Sequence, residues 1–171
     1  MTGVQTCALP IYTPIAAAIR NARQTIRVQA YGFTAPTILD ALGEARARGV
    51  DVRVILDKSN DPATRRDGGR DGGKLVGAQF TSAMGIPTWI DHSVAIAHNK
   101  LIIVDGKVVI GGSYNFTVSA EDRNAENVTF IESVEIAELY GRNWDGRRAV
   151  SREYRPPRIY DLDPMDSLAR R

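Results

Sequence analysis

Apolar and polar positions recur with two different periods along the chain, and the changes of period divide it into elements. Ile15 and Ile19 stand at helical spacing in the Ala-rich stretch 14–24, after which Ile26 to Phe33 reads as a strand. Thr34 is placed to cap a helix that begins near Pro36 and ends at Gly49, and Val50 to Leu56 follows as a second strand. This β-α-β order predicts parallel strands joined by a right-handed crossover. Residues 58–73, dense in Gly, Asp and Arg, predict a solvated insertion or, alternatively, a substrate-gating arm. A helix over 74–84, a short strand over 87–90, a hairpin near 101–110, a strand over 128–131 and a helix from Val134 to about Arg148 complete the order. The expected fold class is α/β, a layered α-β-α sandwich on a mixed, mostly parallel sheet that carries an antiparallel hairpin.

The hairpin is where the pattern acquires chemistry. Leu101 to Val104 and Lys107 to Ile110 flank Asp105-Gly106, a strong tight-turn pair. If a two-residue turn pairs Val104 with Lys107, counting sets Lys100 opposite Gly111 and His98 opposite Ser113. His98, Lys100, Ser113 and Asn115 then project from one face of the sheet. Asp105 lies about 20 Å from His98 along an extended strand, so it is expected to set the turn rather than to orient the imidazole. A lone His-x-Lys carries little information; His98, Lys100, Asp105, Gly112, Ser113 and Asn115 together point to phosphodiester chemistry. A neutral imidazole held by a carboxylate can attack phosphorus. Lys100, Asn115 and Ser113 would supply charge and hydrogen bonds to the nonbridging oxygens. The competing reading has Ser113 and Asn115 capping the turn after the hairpin.

The string H-x-K-x4-D-x6-G-S-x-N resembles the signature of the phospholipase D superfamily. Its continuation, Asn115-Phe116-Thr117 through Asn124-Ala125-Glu126-Asn127, resembles the bacterial single-motif endonucleases of that superfamily. Similar segments at Tyr12-Thr13-Pro14, Ile26 to Phe33, Gly49 to Val52 and Trp144 carry the resemblance over roughly residues 12–150. The resemblance implies the superfamily's layered fold, a phosphohistidine formed on His98, and Glu126 as the carboxylate that orients the imidazole, with an ordinary surface acid as the alternative. Expelling an alkoxide calls for a general acid as well as a nucleophile. The other histidine, His92, lacks a lysine two residues on and reads as a turn residue, and the chain has no second copy of the motif. A homodimer that brings two His98 side chains together across a two-fold axis would complete the site. The expected substrate is DNA or RNA, cleaved without sequence specificity; the alternatives are phospholipid, hydrolysed or transphosphatidylated, and a non-catalytic nucleic-acid-binding module.

Composition narrows this picture only at a few points. With 171 residues, 43% hydrophobic and 25% charged, the chain can bury one core, and no apolar run is long enough for a transmembrane segment. A net charge of +2 is too mild to argue for a polyanion. Its distribution says more, because Arg142, Arg147, Arg148, Arg152, Arg155 and Arg158 follow an acidic stretch over 121–138. Arg142, Arg147 and Arg148 are candidate substrate-binding residues, or else arginines complementing a helix C-terminus. No His/Cys or acidic cluster suggests a metal, and no cofactor is expected. Residues 1–11 resemble the in-frame translation of a sequencing-library adapter, so they are expected to be non-native, with a genuine short strand as the alternative. Cys7 lies in that segment. Residues 12–150 would form the catalytic domain and 151–171 a polar tail; the resemblance makes a periplasmic or secreted location an expectation.

Overall fold

The β-branched runs that bracket the second helix become β2 (Thr25–Ala30) and β3 (Asp51–Asp57), which pair in parallel across α2 (Pro36–Ala47). The helix starts on proline and buries Ile38, Leu39, Ala41, Leu42 and Ala45 along one stripe. Thr34 does not cap it. The N-cap is Ala35, and the N–H groups of Thr34 and Ala35 both donate to Phe116 O, at 2.8 and 2.9 Å. A contact from a distant loop thus fixes the helix start.

The structure is a computed structural model that describes residues 3–6, 10–64 and 77–156. Its remaining elements are β1 (Gly3–Thr6), α1 (Tyr12–Asn21), α3 (Gly77–Ala83), β4 (Thr88–Asp91), β5 (Lys100–Val104), β6 (Val108–Gly112), α4 (Val118–Arg123), β7 (Asn127–Glu132), α5 (Val134–Val150) and β8 (Arg152–Glu153). Two short 3-10 turns, Lys58–Asn60 and Pro62–Thr64, begin the expected insertion, whose residues 65–73 lie outside the described set. The strands form one mixed sheet in the order β1-β7-β6-β5-β2-β3-β4-β8.

The layered α/β class holds, but the sheet is not mostly parallel. Among the described strands only β2 with β3 and β3 with β4 run parallel; the other five neighbouring pairs are antiparallel. Parallel pairing needs a crossover that covers one face, and only α2 and the segment between β3 and β4 provide one. The expected tail also begins later than residue 151, because Arg152–Glu153 pairs with β4. At the opposite edge Gly3–Thr6 pairs with β7.

Alternate residues of the central strands feed two apolar layers. Ile102, Val104 and Ile110 join Ile15, Ile19, Ile38 and Leu42 on the side of α1 and α2. Leu101, Ile103 and Val109 join Ala137 and Trp144 on the side of α5. Trp144 is 1% exposed, its Nε1 donates to Val28 O at 2.9 Å, and it meets Trp89 edge to face at 6.2 Å between centroids. Both tryptophans are packing residues.

The hairpin register differs from the two-residue count. Val104 pairs with Val108 and Leu101 with Gly111, so residues 105–107 form a three-residue turn. Asp105 and Gly106 both have positive φ, 52° and 61°, a conformation that Asp and Gly tolerate better than other residues. The shift by one residue sets Lys100 level with Gly112 rather than Gly111.

Candidate active site

The segment leading into β5 is fixed from both sides of His98. Ala97 N donates to the buried Asp57 Oδ2 at 2.7 Å, and Tyr31 N donates to Asn99 O at 3.0 Å. Asp57 closes β3, and its other oxygen accepts from Ser59 N at 2.9 Å. Lys58 Nζ donates to Val94 O at 3.0 Å and ties the same loop further back. The Tyr31 ring lies against the His98 imidazole at 4.8 Å and a tilt of 59°. Backbone and ring are therefore positioned by the C-terminal ends of β2 and β3, while the imidazole itself remains exposed.

Lys100 stands over this imidazole. Its Nζ is 3.2 Å from each ring nitrogen, donates to His98 O at 3.0 Å and lies 5.8 Å from the Tyr31 ring centroid. Burial holds the Lys100 ammonium below the ordinary lysine value, and the charge of Glu126 opposes that shift. Glu126 is thus electrostatically part of the same site.

The far side of the site is built by the end of β6. Gly112 is required sterically, because a Cβ there would land on the Asn127 carbonyl. Ser113 N donates to Asn127 O at 3.1 Å, and Asn127 N donates back to Ser113 Oγ at 3.0 Å. The Ser113 hydroxyl in turn donates to Glu126 Oε2, and Asn124 Nδ2 donates to Glu126 Oε1 at 2.9 Å. Ser113 therefore both ties β6 to β7 and seats the Glu126 carboxylate. Asn115 packs against Gly32, and its buried Oδ1 has no hydrogen-bond partner among the described residues.

Asp105 lies at the other end of the hairpin, as its separation in sequence requires. Its carboxylate accepts the N–H groups of Arg23 at 2.9 Å, Gln24 at 2.8 Å and Thr25 at 2.9 Å. Burial alone would push the carboxyl up, but these donors and Lys107 outweigh it and hold it below the ordinary value. The motif aspartate is a clamp between the hairpin turn and the start of β2.

The arginines divide among other tasks. Arg147 pairs with the buried Asp91 and donates to Ser93 Oγ at 2.7 Å; Arg148 lies 5.5 Å from the Trp89 ring centroid. Arg142 is exposed. His92 faces Asp61 at 3.4 Å and Arg152 at 3.3 Å, beside the β4–β8 edge. Tyr31, Asp57 and Asn124 were not visible as site residues in the sequence. The available signal for the first two was position, since ligand sites in α/β sheets gather at the carboxyl ends of strands.

Residues 15–146 match the family described as cardiolipin synthase, PLD-like domain. A phospholipase D of Rickettsia prowazekii is 45% identical over 133 residues, 78% of this chain and 60% of that protein. A mitochondrial cardiolipin hydrolase of Xenopus tropicalis is 29% identical over 162 residues, 92% of this chain and 70% of that protein. The chain thus spans about three fifths of the length of the Rickettsia relative. Among solved structures, Nuc from Salmonella typhimurium, a phospholipase D family member, superposes with a TM-score of 0.78 at 34% identity, covering 91% of this chain and 99% of that one.

Proposed function

The chain belongs to the phospholipase D-like family of phosphodiester hydrolases, and from that premise we propose that it is an endonuclease that cuts DNA or RNA through a phosphohistidine on His98. The observation that carries this reading is the exposed His98 imidazole with the Lys100 ammonium 3.2 Å from its ring nitrogens. A nonbridging phosphate oxygen arriving there would meet the ammonium, and the Asn115 side chain would add a hydrogen bond as charge develops, while the Ser113 hydroxyl stays committed to Glu126. Glu126, seated by Ser113 and Asn124, would accept the proton-bearing ring nitrogen and aim the other at phosphorus.

In the first step a His98 nitrogen bonds to phosphorus, the P–O bond to the leaving group breaks, and the departing oxygen takes a proton. In the second, water attacks the phosphohistidine, gives up a proton, and releases a phosphomonoester and free His98. Both steps need a second acid–base group. We assign it to His98 of a second copy of the chain, brought across a two-fold axis over the exposed imidazole. One imidazole must be neutral while the other is protonated, so the rate should pass through a maximum with pH.

Nicking of supercoiled plasmid in EDTA tests the reading. The wild-type protein should cut and His98→Ala should lose about 1,000-fold or more in rate. Specific activity should also fall on dilution as dimers separate. A folded protein that leaves plasmid and RNA intact but releases head groups from phosphatidylglycerol vesicles would replace nucleic acid by phospholipid as substrate. The relatives named phospholipase D and cardiolipin hydrolase support that second reading.

A further inference from the structure

The Lys100 ammonium does not hydrogen-bond the His98 imidazole through a ring nitrogen. Its Nζ is 3.2 Å from both nitrogens, and a point that near to both lies over the face of the ring, because in the ring plane it would collide with Cε1. The in-plane directions of the two nitrogens are thus left to other partners. Both side chains border a cleft of about 460 Å³, walled by Tyr140 and Asn143 of α5, through which a phosphodiester can approach.

This stacking becomes unfavourable as the nucleophile reacts. When one His98 nitrogen bonds to phosphorus and the other keeps its proton, the imidazole is a cation. Two positive groups 3.2 Å apart then repel each other. Burial already loosens the hold of Lys100 on its proton, against the charge of Glu126. The incoming phosphoryl oxygens and Glu126 offset part of the repulsion.

A third group faces both cations. The Tyr31 ring centroid is 4.8 Å from that of the imidazole, at a tilt of 59°, and the Lys100 ammonium lies over the same ring at 5.8 Å. Both distances fall within the range over which an aromatic face attracts a cation. The main chain holds the ring in place: Tyr31 N donates to Asn99 O at 3.0 Å, and Tyr31 O accepts from the side chain of buried Asn60 at 2.6 Å. Tyr31 does not line the cleft, so its ring acts on the nucleophile and not on the substrate. We infer that Tyr31 is a positioning residue whose ring face stabilises the positive charge that His98 gains beside Lys100 as the phosphohistidine forms. The inference rests on the reading of His98 as nucleophile and applies to a nucleic-acid or a lipid diester alike.

The first-turnover release of 4-nitrophenolate from bis(4-nitrophenyl) phosphate in EDTA reads this step without regard to the natural substrate. Tyr31→Phe keeps the ring and should stay within about twofold of the wild-type rate. Tyr31→Leu should be about tenfold slower at saturation, with a half-saturating concentration within about twofold of wild type. Phenylalanines bearing one, two and three ring fluorines at position 31 keep the shape and drain charge from the ring face. Their rates should fall stepwise, by about threefold or more across the series. Equal rates along the series overturn the inference, because a ring that only packs is indifferent to its charge. So does a Tyr31→Phe protein as slow as Tyr31→Leu, or a Tyr31→Leu protein whose loss lies wholly in half-saturation. A His98→Ala protein that releases 4-nitrophenolate at the wild-type rate overturns instead the reading of His98 as nucleophile.

Discussion

Asp105 and His98 belong to one short motif, yet their side chains serve different ends of the hairpin. The Asp105 carboxylate is the acceptor for three consecutive N–H groups that precede β2, so its substitution should act on stability before chemistry. Asp105→Asn should cost about 2 kcal/mol near neutral pH, the worth of charge-assisted bonds to backbone donors. The sign of its pH dependence follows from the depressed folded value. The carboxylate's contribution is complete above the ordinary value of 3.8 and is lost as pH falls through the lower folded value. Urea titrations should therefore show the gap between wild type and Asp105→Asn closing on acidification; a gap that widened would contradict the clamp. Legibility at this scale was uneven. That Asp105 sits too far away to orient His98 followed from strand rise alone, whereas its partners lie some 80 residues earlier and left no local trace.

At the scale of elements, the ends of strands assemble the site. The β-branched runs and the Asp-Gly turn announced the hairpin, but the turn takes three residues rather than two, and the register moved by one residue. Tyr31 and Asp57 escaped notice because each closes a strand far from the motif in sequence, and only the parallel pairing of β2 with β3 makes them neighbours of residues 97–99. Gly112 is the point where β6 leaves its partner closely enough to place Ser113. A methyl group there would meet the Asn127 carbonyl, so Gly112→Ala should cost about 1–3 kcal/mol, typical of overpacking. It should also displace Ser113 from Glu126. Melting curves and plasmid nicking measured together should show both losses, and full activity in a stable Gly112→Ala protein would deny the close approach its role.

For the molecule as a whole, the alternation of Ile102 and Val104 against Leu101 and Ile103 already implied a sheet buried on both faces. Its direction did not follow from that pattern, since an apolar run reads alike in parallel and antiparallel pairing, and the antiparallel majority emerged only with the connections. The two layers are chemically unequal. Both of the chain's tryptophans, Trp89 and Trp144, pack in the layer under α5, ring edge to ring face with Arg27 and Arg148 over them. Intrinsic fluorescence is thereby a reporter of one layer, while circular dichroism sums the helices of both. In a denaturant titration the two signals should coincide if the sheet couples its faces into one cooperative unit. If they separate, the emission curve belongs to the undocking of α5, the helix that walls the cleft beside His98, and gives that event an optical signature of its own.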